Sequence, residues 1–320
     1  MNMLLHAWRK FFFEPIPLTA LALFRIAFGC LVLHSLVFQI GADFPIWYGP
    51  NAVLTIESTS KYYWVGRPFF DLMLFFSHEE SLMLAYYLSA ILAAVFLTLG
   101  FVTRYSAVWV CLALLSLFNH NPYIYNGGDA LLKLNSIFLA ASPCGEAFSV
   151  DFYLRKKRQE ITKPSLYFPW AQRMIQLQLA FVYASTFCWK IAGEQWQRGT
   201  AVYYAVRLED LIRLPLPFVF DNLLCCQILT YFTLAIELAG FTLIWYKPLR
   251  YYVLAGLFML HFGIDIFLNL PDFEWIFISA LILFIEPNDL DRWINAVRIR
   301  MHAILSRLLP SAQSNNVAGN

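Results

Sequence analysis

The chain contains apolar runs long enough to cross a lipid bilayer, and these runs constrain its fold more than any other feature. A straight helical crossing takes about 20 residues. A helix also satisfies its backbone hydrogen bonds internally, as lipid requires. Only 14% of the residues are charged and 60% are hydrophobic, whereas soluble domains carry about 25% charged residues. The sequence therefore predicts an all-α, polytopic transmembrane bundle, with strong spans at Pro17–Ile40, Leu82–Phe101, Met174–Ala192, Gln227–Trp245 and Tyr251–Leu270.

Three shorter apolar runs, Ser106–Phe118, Ala130–Pro143 and Phe273–Pro287, bring the expected number of spans to eight. With eight crossings and both termini cytoplasmic, fifteen of the 23 Lys and Arg residues fall on the cytoplasmic side and five fall in external loops. This bias follows the positive-inside rule, and removing one span would invert every later loop. The sequence therefore predicts a multi-pass protein of the bacterial inner membrane.

The expected organisation is a cytoplasmic segment 1–16, a transmembrane domain 17–287 and a cytoplasmic tail 288–320. The net charge of +2 argues against nucleic acid as a partner, and membrane lipid is the partner that the composition favours. The six cysteines form no C-x-x-C pair and mostly lie in apolar runs. They are interpreted as small apolar residues.

Lys190 lies near the end of the run Met174–Ala192 and has no obvious partner within it. A lysine in hydrocarbon costs about 2.5–3.5 kcal/mol even on lenient insertion scales, so it snorkels, pairs or has a function. Burial would favour its neutral form, which is the form that a general base requires.

Arg25 and Glu237 lie in the middle of two other spans. A deep arginine needs a carboxylate, a row of carbonyls or an anionic ligand. An ion pair between Arg25 and Glu237 is the favoured interpretation, and ligand binding by Arg25 stays open. His261 and Asp265 are four residues apart and share one helix face, which Asn269 continues. Hydrogen bonding within the bundle is favoured there, and two ligands on one helix do not make a metal site.

His120 follows the third span, next to a polar turn, and the charge topology places it on the same membrane face as Lys190. A lone histidine is more often a satisfied loop residue than a catalytic one. Tyr183 and Lys190 are seven residues apart and nearly share a helix face, whereas Gln178 lies at a different angle. Hydrogen bonding between helices is the simplest role for Gln178 and Tyr183.

Four stretches of the chain form a recognisable pattern. The most specific is WAQRMIQLQLAFVYASTFCWKIAGEQWQRGTAVYY, and the others are PLTALALFRIAFG, NHNPYIYNGGDALLKLNSIFLAASPCG and IELAGF with the His261 span. Together they resemble the membrane domain of the vitamin K-dependent gamma-carboxylase family, often called the HTTM domain, and the likeness covers most of Pro17–Pro287.

The resemblance implies that Lys190 deprotonates a quinol and that His120 assists at the external, periplasmic face. The cofactor implied is reduced vitamin K or menaquinol, with O2 and CO2 as co-substrates of a lyase-type reaction. Arg25, Gln178, Tyr183 and His261 are the expected cofactor-binding residues, and no metal is expected. Quinol epoxidation would drive carboxylation of a glutamate.

Animal members of that family carry a large lumenal portion after the membrane domain. This chain ends soon after its last span, so it is expected to be a short stand-alone form whose substrate is a glutamate-containing peptide or another small molecule. The alternative is a non-catalytic quinone- or lipid-binding protein or accessory subunit. A transporter is less favoured, because the sequence has no internal repeat.

Overall fold

The computed structural model describes residues 2–66, 69–76, 78–160 and 166–308, and about three quarters of the chain is helical. The polar tail beyond Leu308, predicted to be cytoplasmic, lies outside the described residues. The long helices are α2 (Thr19–His34, continued by a π-helix at Ser35–Ile40), α5 (Glu80–Leu99), α6 (Thr103–His120), α7 (Gly127–Ala140), α9 (Trp170–Ile191), α13 (Leu223–Phe241), α14 (Lys247–Phe267) and α15 (Phe273–Leu281, continued by a 3-10 turn at Ile282–Phe284).

Shorter elements connect and flank these helices. An antiparallel strand pair, formed by β1 (Ile16–Pro17) and β2 (Leu166–Tyr167), joins the start of the bundle to the segment before α9. The elements are α1 (Asn2–Phe13), β1 (Ile16–Pro17), α3 (Phe44–Tyr48), α4 (Ile56–Tyr62), α8 (Val150–Lys157), β2 (Leu166–Tyr167), α10 (Glu194–Gln197), α11 (Ala201–Ala205), α12 (Pro217–Phe220) and α16 (Pro287–Leu308).

Each of the eight predicted spans corresponds to one of the long helices, with ends shifted by a few residues. Four helical segments are long and apolar enough to cross a membrane: Thr19–Ile40, Glu80–Leu99, Leu223–Phe241 and Lys247–Phe267. Helix α9 has the length, but the glutamines and the lysine that it carries lower its hydropathy. The protein is thus an all-α membrane protein with four such spans identified by length and composition.

Helix α2 lies at the centre of the bundle, where it packs against α5, α7, α15 and α16. Leu21, Phe24 and Phe28 on this helix are almost completely buried. Helices α5, α6 and α7 pack in succession, and α9 packs against α13. The apolar core therefore surrounds α2, and α9 with α13 forms a neighbouring layer.

Long-range contacts define two ends of the bundle. At the first, called here the Thr19 end, the Thr19 hydroxyl donates to Asp291 (2.8 Å), and the Gln172 amide donates to the Leu283 carbonyl (2.8 Å). At the other, called the His120 end, His34 pairs with Asp272 across 2.7 Å. Helix α9 begins beside Leu283 at the Thr19 end and runs away from that end. Lys190, near the C-terminus of α9, therefore lies toward the His120 end.

Arg25 is completely buried, and its partners are backbone carbonyls of the loop 144–148 at the Thr19 end. The expected ion pair between Arg25 and Glu237 is wrong. Several carbonyl dipoles together stabilise a buried guanidinium, and no second charge has to be desolvated. The acceptors are the carbonyls of Cys144 (3.0 Å), Ala147 (3.3 Å) and Phe148 (2.6 Å).

Gly100 allows the arginine and this loop to approach the end of α5. Its φ is +71°, and a Cβ there would lie 2.8 Å from Arg25 Nη1 and 2.3 Å from the Cβ of Ser149. A residue with a side chain would therefore meet both a strained backbone and a steric clash.

Candidate functional site

Close packing between α9 and α13 places the first polar groups. Gly240 of α13 lies against the ring of Tyr183, where a Cβ would come within 2.9 Å of Tyr183 Cδ2. The missing side chain brings the helix backbones together, as small residues do in membrane bundles. The same contact places Glu237, one turn before Gly240, beside the end of α9.

Lys190 pairs with Glu237 in this layer. The ammonium also lies 5.0 Å from the ring centre of Trp196, within cation–π range. The Lys190 side chain is 26% exposed, whereas that of Glu237 is 6% exposed. The lysine is therefore held between a buried carboxylate and an aromatic ring, and part of it is accessible from outside the bundle.

A chain of three buried hydrogen-bonded side chains lies nearby. The Tyr183 hydroxyl is 2.9 Å from His261 Nε2, and His261 Nδ1 contacts a carboxylate oxygen of Glu274. Each of the three is at most 5% exposed. His261 therefore has the hydrogen-bonding role expected within the bundle, and its carboxylate partner is Glu274 of the adjacent helix, not Asp265 on the same helix face. Asp265 instead faces Arg213 at 3.8 Å.

The lysine pair and the three-residue chain form one group, named here the lysine cluster: Lys190, Trp196, Glu237, Tyr183, His261 and Glu274. Gly240 packs against the Tyr183 ring and lies one turn after Glu237, so the lysine pair and the chain are neighbours. One buried oxygen of Glu237 and one of Glu274 make no hydrogen bond within the described residues. Buried polar atoms usually have a partner, so these two oxygens are available to a proton, a water molecule or a polar ligand.

His120 belongs to a second buried group, named here the histidine cluster: Asp71, His120, Tyr48, Asn119 and Lys133. His120 Nδ1 is 2.8 Å from Asp71 Oδ2, and both side chains are at most 2% exposed. The other oxygen of Asp71 accepts the backbone N–H of Met73 at 2.8 Å. A carboxylate in this position favours the histidine tautomer with the proton on Nδ1, so Nε2 is left as an acceptor.

Two further contacts complete the histidine cluster. The Tyr48 ring lies 5.7 Å from the imidazole of His120, and the Tyr48 hydroxyl is buried without a partner among the described residues. Lys133 donates to the Asn119 amide oxygen at 3.4 Å. The histidine cluster therefore contains both a fixed imidazole and a second lysine.

The structure brings three of the predicted site residues, Lys190, Tyr183 and His261, into the lysine cluster. No hydrogen bond or ion pair among the described residues joins that cluster to His120. Gln178 is half-buried, and its amide nitrogen has no partner in the described part of the chain. Arg25 lies at the other end of the bundle, with its donors directed at carbonyls.

Sequence reasoning missed Asp71 and Glu274, and it assigned Glu237 to the wrong partner. Glu274 carries a recognisable signal, since it is an acid at the start of an apolar run. Asp71 follows a long aromatic loop and carries no comparable signal. Across the described ranges, no group of three or more His, Cys, Asp or Glu side chains could hold a metal ion.

The chain was compared with protein families, with curated proteins and with solved structures. The model of the HTTM domain family matches residues 13–289. Neither the curated proteins nor the solved structures give a match. The matched range includes every helix from α2 to α15, and so it contains both polar clusters. The protein is an integral membrane protein, and its chain belongs to the HTTM domain family.

Proposed function

We propose that this protein is a membrane enzyme of the vitamin K-dependent carboxylase type, in which Lys190 deprotonates a quinol. The observation that carries the proposal is the pairing of a partly exposed lysine with a buried carboxylate inside the bundle. A purely structural pair needs no exposed member, whereas a base must reach its substrate.

Glu237 gives Lys190 a partner with which to exchange a proton. With the proton on Glu237, the Lys190 amine is neutral and can accept a phenolic proton. With the proton on Lys190, the two side chains form an ammonium–carboxylate ion pair. When the neutral amine takes the phenolic proton, Glu237 keeps its own proton, and the new ammonium pairs with the quinolate oxygen, so neither charge is isolated in a water-poor region.

The residues around Lys190 fit a flat, hydroxylated ring. Trp196 offers an aromatic face beside the ammonium, and aromatic pairs favour offset stacking. Gln178 has an amide nitrogen without a partner among the described residues, but it lies twelve residues before Lys190 on α9, about 18 Å along the helix, so it is left out of this group. A bound quinol would supply a weakly acidic hydroxyl and the electrons for epoxidation, with O2 as the oxidant. Reduced vitamin K and menaquinol both have this chemistry.

Tyr183 and His261 act behind Lys190 in this proposal. They are buried and bonded to each other, so they are positioning residues that hold the lysine cluster together. His120, oriented by Asp71, supplies a hydrogen-bond acceptor from the histidine cluster. Arg25 is left out of the site, because it lies at the Thr19 end.

The proposed topology has eight crossings with both termini cytoplasmic, a transmembrane domain over 17–287 and flanking segments 1–16 and 288–320. The His120 end then faces the periplasm of a bacterial inner membrane. Alternation of the helix ends between the Thr19 end and the His120 end supports this arrangement. The substrate would be a glutamate-containing peptide or a small molecule that reaches the periplasmic side, and carboxylation with CO2 is the proposed outcome.

The test uses purified protein in lipid nanodiscs, supplied with reduced vitamin K or menaquinol, O2 and bicarbonate. Quinone epoxide is measured by mass spectrometry for wild type, Lys190→Ala and the control Lys157→Ala, which changes an exposed lysine far from the site. We expect epoxide from wild type and from the control, and a loss of about 100-fold or more in Lys190→Ala, in line with removal of a general base. Full activity in Lys190→Ala would refute the assignment of the base.

A second candidate is a quinone-binding protein or accessory subunit without catalysis. The ion pair itself favours this candidate, since a permanently charged Lys190 can anchor a quinone oxygen without removing a proton. Equal quinone binding by wild type and Lys157→Ala, with no epoxide from either and with weaker binding by Lys190→Ala, would support it.

A further inference from the structure

A cleft of about 600 Å³ opens at the Thr19 end, away from both polar clusters. Helix α1 covers one side of it, and the other walls come from the start of α9, the start of α14 and the segment after α15. The rings of Phe11 and Trp245 line it and pack against each other at 5.8 Å. The cleft is therefore partly aromatic as well as charged.

The lining of the cleft carries more positive than negative charge. Lys10, Arg173, Lys247 and Arg250 line it, together with Glu14 and Glu286, which leaves a surplus of two positive charges. Glu286 is shared by Arg250 (2.5 Å) and Lys247 (3.2 Å). One carboxylate thus serves two of the cations.

The other two cations, Lys10 and Arg173, have no ion pair within the described residues. Arg173 donates to the Phe11 carbonyl (3.2 Å) and to the Gln176 amide oxygen (2.9 Å), which leaves one guanidinium nitrogen without an acceptor in the described structure. The guanidinium carbon of Arg173 lies 4.8 Å from the centre of the Phe11 ring. The remaining N–H donors of Arg173 can therefore bind an anionic oxygen beside this aromatic wall.

Helix α1, at the edge of this cleft, has the exposed residues of a membrane-interface helix. Its apolar residues Met3, Leu4 and Trp8 are between 53% and 81% exposed, while Arg9 and Lys10 give it positive charge. A short helix with exposed apolar residues and basic side chains lies in the plane of a membrane interface. In an integral membrane protein, the surface available to α1 is the adjacent leaflet.

We infer that the cleft lined by Lys10, Arg173, Lys247 and Arg250 binds the phosphate group of an anionic phospholipid. Arginines match phosphate oxygens with paired N–H donors, and lysines add point charges. The walls formed by Phe11 and Trp245 suit the glycerol and acyl region next to the phosphate. A free phosphate ion carries the same charged oxygens, but it has no apolar part that could pack against these aromatic walls.

The test uses full-length protein in nanodiscs of phosphatidylcholine that contain a minority of phosphatidylglycerol. Lipids that stay bound after release from the disc are counted by native mass spectrometry. Arg173→Gln removes the charge and keeps an amide donor, and Lys10→Gln is a milder variant on the exposed helix. Lys157→Gln is the matched control, because it removes an exposed cation that does not line the cleft.

We expect wild type and Lys157→Gln to retain phosphatidylglycerol in preference to phosphatidylcholine. Retention should fall about tenfold in Arg173→Gln, as expected for the loss of a hydrogen bond to a charged group, and by a smaller factor in Lys10→Gln. Millimolar inorganic phosphate should leave the retained lipid in place. Displacement by phosphate would assign the same site to a soluble phosphate compound.

Two results would overturn the inference. One is equal retention of the neutral and the anionic lipid by wild type. The other is an equal loss in Lys157→Gln and Lys10→Gln, which would show a general surface charge effect. Since Lys10 is exposed, its variant keeps the test decisive even if Arg173→Gln fails to fold.

Discussion

At the scale of single residues, the lysine cluster shows how the bundle accommodates charge. Lys190 could be singled out from the sequence, because an ammonium in an apolar run is costly wherever the helix lies. Its partner could not be identified, because the pairing depends on how α9 crosses α13. Glu237 was therefore assigned to Arg25, whose actual acceptors belong to a loop without any sequence signal.

Glu237→Gln tests the role of the carboxylate next to Lys190. The amide cannot accept a proton, so we expect quinol turnover to fall by about 10- to 100-fold. Turnover is measured as epoxide formation in nanodiscs.

A merely structural carboxylate would give a different result. Loss of a buried partner costs about 1–3 kcal/mol of stability, which appears as a lower unfolding temperature with turnover retained. Full turnover together with a lower unfolding temperature would therefore contradict the proton-exchange role of Glu237.

Asp71→Asn tests the orientation of His120. The amide can donate to His120 Nδ1 and so favours the other tautomer, which removes the acceptor at Nε2. We expect turnover to fall at least about tenfold, a typical cost of losing a partner that orients a functional histidine. Proton-detected NMR of labelled histidine would show the change of tautomer, and an unchanged tautomer with full activity would exclude this role.

At the scale of elements, the helices could be predicted well and their contacts poorly. The length of each apolar run locates all eight helices. A segment in lipid must form its backbone hydrogen bonds internally, as a helix does, and its apolar part must match the thickness of the bilayer. The observed helix ends differ from the predicted ones by a few residues where capping side chains determine them. The start of α7 is an example, because the Asn126 side chain forms a capping box there with Asp129. Helix α9 was rated a strong span, yet its polar residues make it less apolar than α5 or α13.

Gly240→Ala tests the contact between α9 and α13. The added Cβ would lie 2.9 Å from Tyr183 Cδ2 and 3.2 Å from Leu257 Cδ1. We expect a loss of about 1–3 kcal/mol in unfolding free energy from overpacking, together with reduced turnover as Tyr183 is displaced. Thermal unfolding in detergent gives the first quantity and the epoxide assay the second.

Gly263→Ala is the matched control on α14, because a Cβ added at this position would have no described atom within 4 Å. Alanine favours helix over glycine by about 1 kcal/mol, so this variant should be as stable as wild type or more so. If both variants lost the same stability, the close contact at Gly240 would not be the cause.

At the scale of the whole molecule, the distribution of lysines and arginines among the loops predicts which end of the bundle faces the cytoplasm. Contacts between residues do not contain this information. The two ends are defined by contacts such as Thr19 with Asp291, but a contact does not say which end faces the cytoplasm. That information lies in the lysines and arginines of the loops. The division of polar residues into two clusters could not be predicted, because it depends on the packing of several helices and loops.

The topology predicts different accessibility at the two ends. In a background without the exposed Cys30 and Cys188, Tyr62→Cys at the His120 end should react with a membrane-impermeant maleimide in intact cells. Tyr153→Cys at the Thr19 end should react only after permeabilisation. Both positions are well exposed, at 71% and 64%, so both can react with the reagent. The opposite labelling pattern would show that the proposed orientation is inverted.

The carbonyl acceptors of Arg25 have a consequence for biosynthesis. They are 119 to 123 residues further along the chain. At about 5–20 residues per second, ribosomes need roughly 6 to 25 seconds to synthesise that interval. During this time the first helix has left the ribosome with an arginine that has no final acceptor. The nascent helix must wait beside the translocon or an insertase, and Arg25→Leu should shorten that wait in a crosslinking time course.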